Sequence, residues 1–173
     1  MPDFRVGGIK PSKIMVAGAA AKKVMIGTGS AAVEAWTNVP ALLPSGMTKN
    51  GVQALGNTNR QRITGWAVRS GYPATVINFD RIQIVGSGQV NVFAQVNFSG
   101  TATPVTHSRW IVHNGIDVAF HSASNQAEAS LTTPSPIPVA DGDFIWVDAQ
   151  TNNVVGSYDD IATSTYITVT PVQ

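Results

Sequence analysis

One stretch of ten residues constrains this chain more than any other. From Gln89 to Phe98, apolar and polar side chains alternate. Val90, Val92, Ala94, Val96 and Phe98 fall on one face of an extended strand, and Gln89, Asn91, Phe93, Gln95 and Asn97 on the other. A period of two over ten residues is the pattern of a long, half-buried β-strand. Shorter runs of the same kind follow from Gly65 onward: Trp66–Val68, Thr75–Phe79, Ile82–Val85, Arg109–Val112, Val118–His121, Ala127–Leu131, Asp143–Ala149 and Ser164–Thr170. Turn residues separate them, and Asn114-Gly115 between two apolar runs is the strongest hairpin signal in the chain. Short strands at this spacing predict an all-β antiparallel jelly-roll sandwich over residues 63–173. The abundance of Gly, Thr, Ser, Asn, Val and Pro agrees with strands joined by tight turns.

The N-terminal part has a different pattern. Lys13-Ile14-Met15-Val16-Ala17-Gly18 is echoed by Lys23-Val24-Met25-Ile26-Gly27-Thr28, and a third apolar stretch runs from Ala31 to Trp36. Each reads as a short strand ending near a turn glycine, so residues 1–36 are expected to form a β-hairpin segment. A helix through Ala17–Lys23 is the competing reading, carried by alanine propensity and opposed by Gly18 and Gly27. Such short strands bury too little surface to stand alone. A docking role follows as an expectation, with Phe4, Ile14, Val16, Val24, Ile26 and Trp36 as its apolar contacts. Residues 37–62 hold Pro40, Pro44, Gly46, Gly51 and Gly56 and read as a connector.

Charge divides along the same line. Residues 1–70 carry nine Lys or Arg against Asp3 and Glu34, a net +7; residues 71–173 carry Arg81 and Arg109 against eight acids, a net −6. Two parts with different neighbours would look like this, as would two differently solvated surfaces. The basic residues are scattered without interleaved aromatics, so nucleic acid is not an expected partner. Lys22 and Lys23 interrupt the apolar stretch from Met15 to Val33, which argues against membrane insertion. The opening Met1-Pro2-Asp3-Phe4 has neither a basic nor an apolar region of the signal-peptide kind. There is no cysteine, which excludes disulfides and thiolate metal sites.

Some strands carry aromatics on the face that a two-sheet sandwich leaves outside. Phe93 lies on an otherwise polar face, Phe144 and Trp146 lie opposite Ile145, Val147 and Ala149, and Tyr166 lies opposite Ile167 and Val169. These four need other cover. A subunit interface supplies it, and a loop of the same chain is the alternative.

Four stretches resemble the trimeric jelly-roll heads of the complement-globular-head and tumour-necrosis-factor type. They are Val90–Phe98, Arg109-Trp110-Ile111-Val112-His113-Asn114-Gly115, Val139-Ala140-Asp141-Gly142-Asp143-Phe144-Ile145-Trp146-Val147 and Ser164-Thr165-Tyr166-Ile167-Thr168-Val169, in matching order over about residues 72–173. That resemblance implies a homotrimer that binds through exposed loops. The tandem Ile14–Gly18 and Val24–Thr28, closed by Val33-Glu34-Ala35-Trp36, resembles the opening of minor tail proteins of long-tailed actinobacteriophages. It implies a structural virion protein, assembled in the host cytoplasm, that docks on other virion structural proteins by its N-terminus. The tail is the expected location, and a capsid decoration (cement) protein would share the layout.

Catalytic signatures are lacking. There is no Gly-x-Ser-x-Gly elbow, no His-Glu-x-x-His and no phosphate-cradling glycine motif. The expectation is therefore no enzyme, no cofactor and no metal; a hydrolase with a diffuse site is the weak alternative. His107 reads as a turn residue, and His113 and His121 could face each other across the Asn114-Gly115 hairpin. Asp141-Gly142-Asp143 reads as a β-turn, and Asp159-Asp160 as solvated loop acids, rather than calcium ligands. Host contact, with a cell-surface glycan or protein, is expected from loops 100–108, 122–126 and 151–160, the last with Tyr158, Asp159 and Asp160 as a receptor contact. A carbohydrate-binding, lectin-like module using Trp110, Trp146 and Tyr72 is the remaining rival reading.

Overall fold

The computed structural model describes residues 15–16, 19–20, 23–26, 33–37, 40–55, 58–99, 105–152 and 159–172. The chain forms two compact units, Met1–Pro40 and Ala41–Gln173.

The first unit consists, among its described residues, of two antiparallel ribbons. Strand β1 (Met15–Val16) pairs with β2 (Ala19–Ala20), and β3 (Lys23–Ile26) pairs with β4 (Val33–Thr37) with a register shift between Val24 and Met25. The hairpin expectation holds here, and Ala19–Ala20 is strand rather than helix. Of the docking residues, Val16, Val24, Ile26 and Trp36 lie on these strands, while Phe4 and Ile14 lie outside the described residues.

The second unit is a sandwich of two antiparallel sheets. Its strands are β5 (Ser45–Lys49), β6 (Gln53–Ala54), β7 (Gln61–Arg62), β8 (Trp66–Val68), β9 (Val76–Ile77), β10 (Ile82–Gln83), β11 (Gly88–Ser99), β12 (Thr106–His113), β13 (Ile116–Ser124), β14 (Glu128–Thr132), β15 (Ile137–Val139), β16 (Phe144–Thr151), β17 (Asp160–Ile161) and β18 (Tyr166–Pro171). Sheet I runs β6-β17-β11-β18-β5-β8, with β14 and β15 also paired to β11; sheet II runs β13-β12-β16-β10-β9, with β7 also paired to β16. The chain crosses between the sheets repeatedly, as at β10–β11, β11–β12 and β13–β14, which is the winding of a jelly roll.

The alternation of the sequence decides what enters the core. Val90, Val92, Ala94, Val96 and Phe98 of β11 meet Ile111 of β12, Ile145, Val147 and Ala149 of β16, and Ile167 and Val169 of β18. The β12–β13 turn is made by Asn114 and Gly115, both at positive φ (48° and 89°), as a two-residue hairpin requires. Each strand expected after Gly65 is present, with β12 and β13 longer than their apolar runs.

The stretch 37–62 departs from expectation. It contains β5, β6 and β7, and its Met47 and Leu55 are fully buried. Strand β5 is a member of sheet I, paired with β18 and β8. Its inward positions are Ser45, Met47 and Lys49, so only one of three is apolar and the periodic signal is faint.

Candidate functional site

The four outward aromatics do not converge. Phe93 and Tyr166 stand on sheet I, and Phe144 and Trp146 on sheet II. A single interface lined by all four, as expected from the sequence, is not what the fold builds.

On sheet II the outer face is covered by arginines of the same chain. The Arg60 guanidinium lies 4.5 Å from the Trp110 ring centre, Arg62 4.6 Å from Trp146 and Arg81 3.9 Å from Phe144. Arg60 also makes a bidentate pair with Asp117 (2.9 and 2.6 Å) and donates Nε–H to Asp148 (2.8 Å). The Arg60 hydrogen bond holds the Asp117 carboxyl below the usual carboxylate range. Phe120 packs beside Trp110 at 5.2 Å and remains largely exposed. Loop cover, the alternative reading, therefore applies to Phe144 and Trp146. It also weakens sugar stacking by Trp110 and Trp146, because a guanidinium already lies against each ring.

On sheet I the cover is partial. Phe93 and Tyr166 pack together at 5.8 Å, and Arg69 lies 3.7 Å from the Tyr166 ring. The segment after β8 folds back over β5: Arg69 N donates to the Gly46 carbonyl and Gly46 N to Thr75 Oγ1. This brings the Tyr72 ring so close to Gly46 that a Cβ there would sit 2.9 Å from it. Tyr72 thus packs on its own sheet. Around Phe93 the outward positions of β11, β18 and β14 are polar: Asn91, Gln95, Thr168 and Thr132.

At the end of the sandwich where β11, β13 and β16 leave their sheets, the structure places a buried polar cluster. His107 lies in β12, not in a turn, and is buried with Arg109, Thr151 and Asp159. Its Nε2 is 2.7 Å from Asp159 Oδ2 and its Nδ1 is 3.1 Å from the Gln126 carbonyl oxygen. Thr151 Oγ1 donates to the same Asp159 oxygen at 3.2 Å. Arg109 is wholly buried and donates to the carbonyls of Val96 (3.1 Å), His107 (3.4 Å), Gln126 (2.8 Å) and Ala127 (2.8 Å). Burial pushes its guanidinium down to about 10, which leaves it charged at neutral pH. Parity carried the signal for this cluster. His107 and Arg109 stand four and two residues before Ile111, so all three face inward.

Of the receptor-loop residues, Asp159 is thus a buried anchor and not a solvated acid. Asp160 is half-buried in β17, and Tyr158 lies outside the described residues. Part of each neighbouring loop is strand: 106–108 belong to β12 and 122–124 to β13. His113 and His121 do not face each other, because His113 pairs with Ile116 and His121 with Arg109. Instead His113 Nε2 meets Asp143 at 2.9 Å, and Asn114 donates to the same carboxylate at 2.7 Å. Burial pushes the Asp143 carboxyl up, but hydrogen bonds from Ala140 N, Asn114 and His113 outweigh it and hold the group below its ordinary value. Asp141-Gly142-Asp143 forms a turn, closed by Asp143 N donating to the Ala140 carbonyl, with Gly142 at φ 91°.

No protein-family model matches the chain, and no curated protein matches its sequence. Solved structures do match its fold. A structure of Eiger TNF from S. frugiperda aligns with a TM-score of 0.50 at 11% identity, covering 76% of this chain and 93% of that one. Murine APRIL at pH 5.0 aligns with a TM-score of 0.50 at 12% identity, covering 76% of this chain and all of that one. At such identity the likeness is one of fold: the second unit is a jelly roll of the tumour-necrosis-factor type.

Proposed function

We propose that this chain is a structural protein of a virus particle, a phage minor tail protein. It docks on other virion proteins through residues 1–36 and presents the jelly roll as a homotrimeric head. The division into a unit of short ribbons and a self-contained sandwich carries the reading. Two-stranded ribbons of two to five residues bury too little to hold a position unaided, and a virion partner completes them. The partly covered Phe93–Tyr166 pair, ringed by polar side chains on a sheet face, supports the homotrimer. The proposal needs no catalytic step. Any host contact is made by the loops around β17, with Tyr158 and Asp160 as its candidates.

Deleting residues 1–36 tests the docking role. The truncated protein should fold, because the sandwich begins at Ala41, and should fail to join particles. A truncated protein that is incorporated at the normal level overturns the docking role. Imaging of particles carrying a labelled chain distinguishes the tail from the capsid surface.

A further inference from the structure

The His107 ring is held between two groups that only accept hydrogen bonds. The Gln126 carbonyl oxygen takes Nδ1–H, and a carboxylate oxygen of Asp159 faces Nε2. A neutral imidazole carries one proton and can serve only one of them. Thr151 Oγ1 and His107 both converge on Asp159 Oδ2, which makes that oxygen the centre of an acceptor site. Both faces of the arrangement are shut: Phe98 packs on the imidazole with ring centres 4.2 Å apart, and His107 and Asp159 are each nearly fully buried. Water is therefore not at hand to supply a missing donor.

We propose that His107 is a doubly protonated imidazolium in the native fold, and that its contact with Asp159 is a proton-operated latch on the loop-bearing end of the sandwich. The latch spans the core. His107 belongs to sheet II through β12, while Asp159 leads into β17 of sheet I. The same Gln126 carbonyl receives Arg109, so the latch also holds the turn between β13 and β14. With both protons present, each acceptor has its donor and the carboxylate has its counter-charge. Loss of one proton as pH rises leaves a buried acceptor facing a lone pair, and the β17 edge loosens. The native state then holds a proton that the unfolded chain releases, so stability falls with rising pH. The charged and titratable groups around the ring are Arg109 on β12, His121 across from Arg109 on β13, and Asp159 and Asp160 at β17. Phe98 from β11 and Thr151 from β16 add no charge. This inference does not rest on the virion reading; if that reading also holds, the latch governs the strand that carries the candidate host-contact loop.

Nitrogen-detected NMR of the full-length protein at pH 6 tests the charge state directly. Two protonated ring nitrogens on His107 are expected; one unprotonated nitrogen overturns the proposal. Hydrogen exchange tests the latch at Ala162, whose amide donates to the Asn97 carbonyl at 2.8 Å just beyond β17. Corrected for intrinsic rates, its protection should fall about tenfold or more between pH 6 and pH 9, the scale of losing a buried hydrogen bond to a charged group. D159N should flatten that dependence, because a carboxamide can donate to a neutral Nε2. His113→Gln with His121→Gln should leave it intact. Protection of the wild-type chain that stays level from pH 6 to pH 9 overturns the latch, and the NMR result stands even if D159N fails to fold.

Discussion

The outer faces of the two sheets carry the same sequence pattern and solve it differently. On sheet II, Trp110, Phe144 and Trp146 are covered from within the chain, each with an arginine against its ring. On sheet I, Tyr166 has Arg69 over it, while Phe93 is packed against Tyr166 and otherwise bordered by Asn91, Gln95, Thr132 and Thr168. An aromatic on the second face of a strand is therefore a demand for cover, and the pattern does not say who supplies it. The arginines that answer it on sheet II come from β7, its preceding loop and the β9–β10 hairpin. Residues 60 and 62 lie in a segment that reads as a connector.

The largest expected effects separate the two faces. Trp146→Ala should lower the stability of the sandwich by about 3–5 kcal/mol, the range for truncating a buried aromatic, and leave the oligomeric state of the refolded protein alone. Phe93→Ala should do the reverse: a smaller loss of stability, and dissociation of the proposed trimer at micromolar concentration. Urea unfolding with mass measurement of the full-length chain reads both. A trimer that survives Phe93→Ala, or one that is lost with Trp146→Ala, breaks the assignment of faces.

Gly46→Ala is the next test, and it concerns how sheet I keeps Tyr72. A methyl group placed 2.9 Å from the Tyr72 ring forces the 69–75 segment to shift, at about 1–3 kcal/mol for an overpacked site. Pairing Gly46→Ala with Tyr72→Ala should recover part of the loss, since the ring is what the methyl meets. A double variant no better than the sum of the two singles would mean that the strain falls on the β5 backbone instead.

The legible parts of this fold are those whose fate is set locally. The inward face of β11 follows from its own alternation, and the Asn114-Gly115 turn from the positive φ that those residue types tolerate. Strand β5 was hidden because its partner β18 lies more than a hundred residues later, and because Ser45 and Lys49 occupy two of its inward positions. The polar cluster was half legible. Strand parity turns His107 and Arg109 inward, but nothing near Asp159 in the sequence says that it crosses the core to meet them. The division of the outward aromatics between two sheets required the strand order, which periodicity does not contain.

The smallest effect concerns the Arg60 pair on sheet II. Both partners are substantially exposed, so Arg60→Gln should cost under about 1 kcal/mol at pH 7, and less in high salt. The pH dependence separates its two contacts. Asp117 is held below the usual carboxylate range by the Arg60 hydrogen bond, so the stability it contributes is fully present above its unfolded value of about 3.9. That contribution is lost as pH falls through the lower folded value. Stacking of the guanidinium on Trp110 does not depend on that proton. The difference in urea midpoint between wild type and Arg60→Gln should therefore shrink well below pH 4 and keep a residue from stacking. A gap that closes completely would assign the whole effect to the carboxylates. A gap that does not change at all would mean that cover of the Trp110 ring is what Arg60 provides, which is the role that the comparison of the two faces gives it.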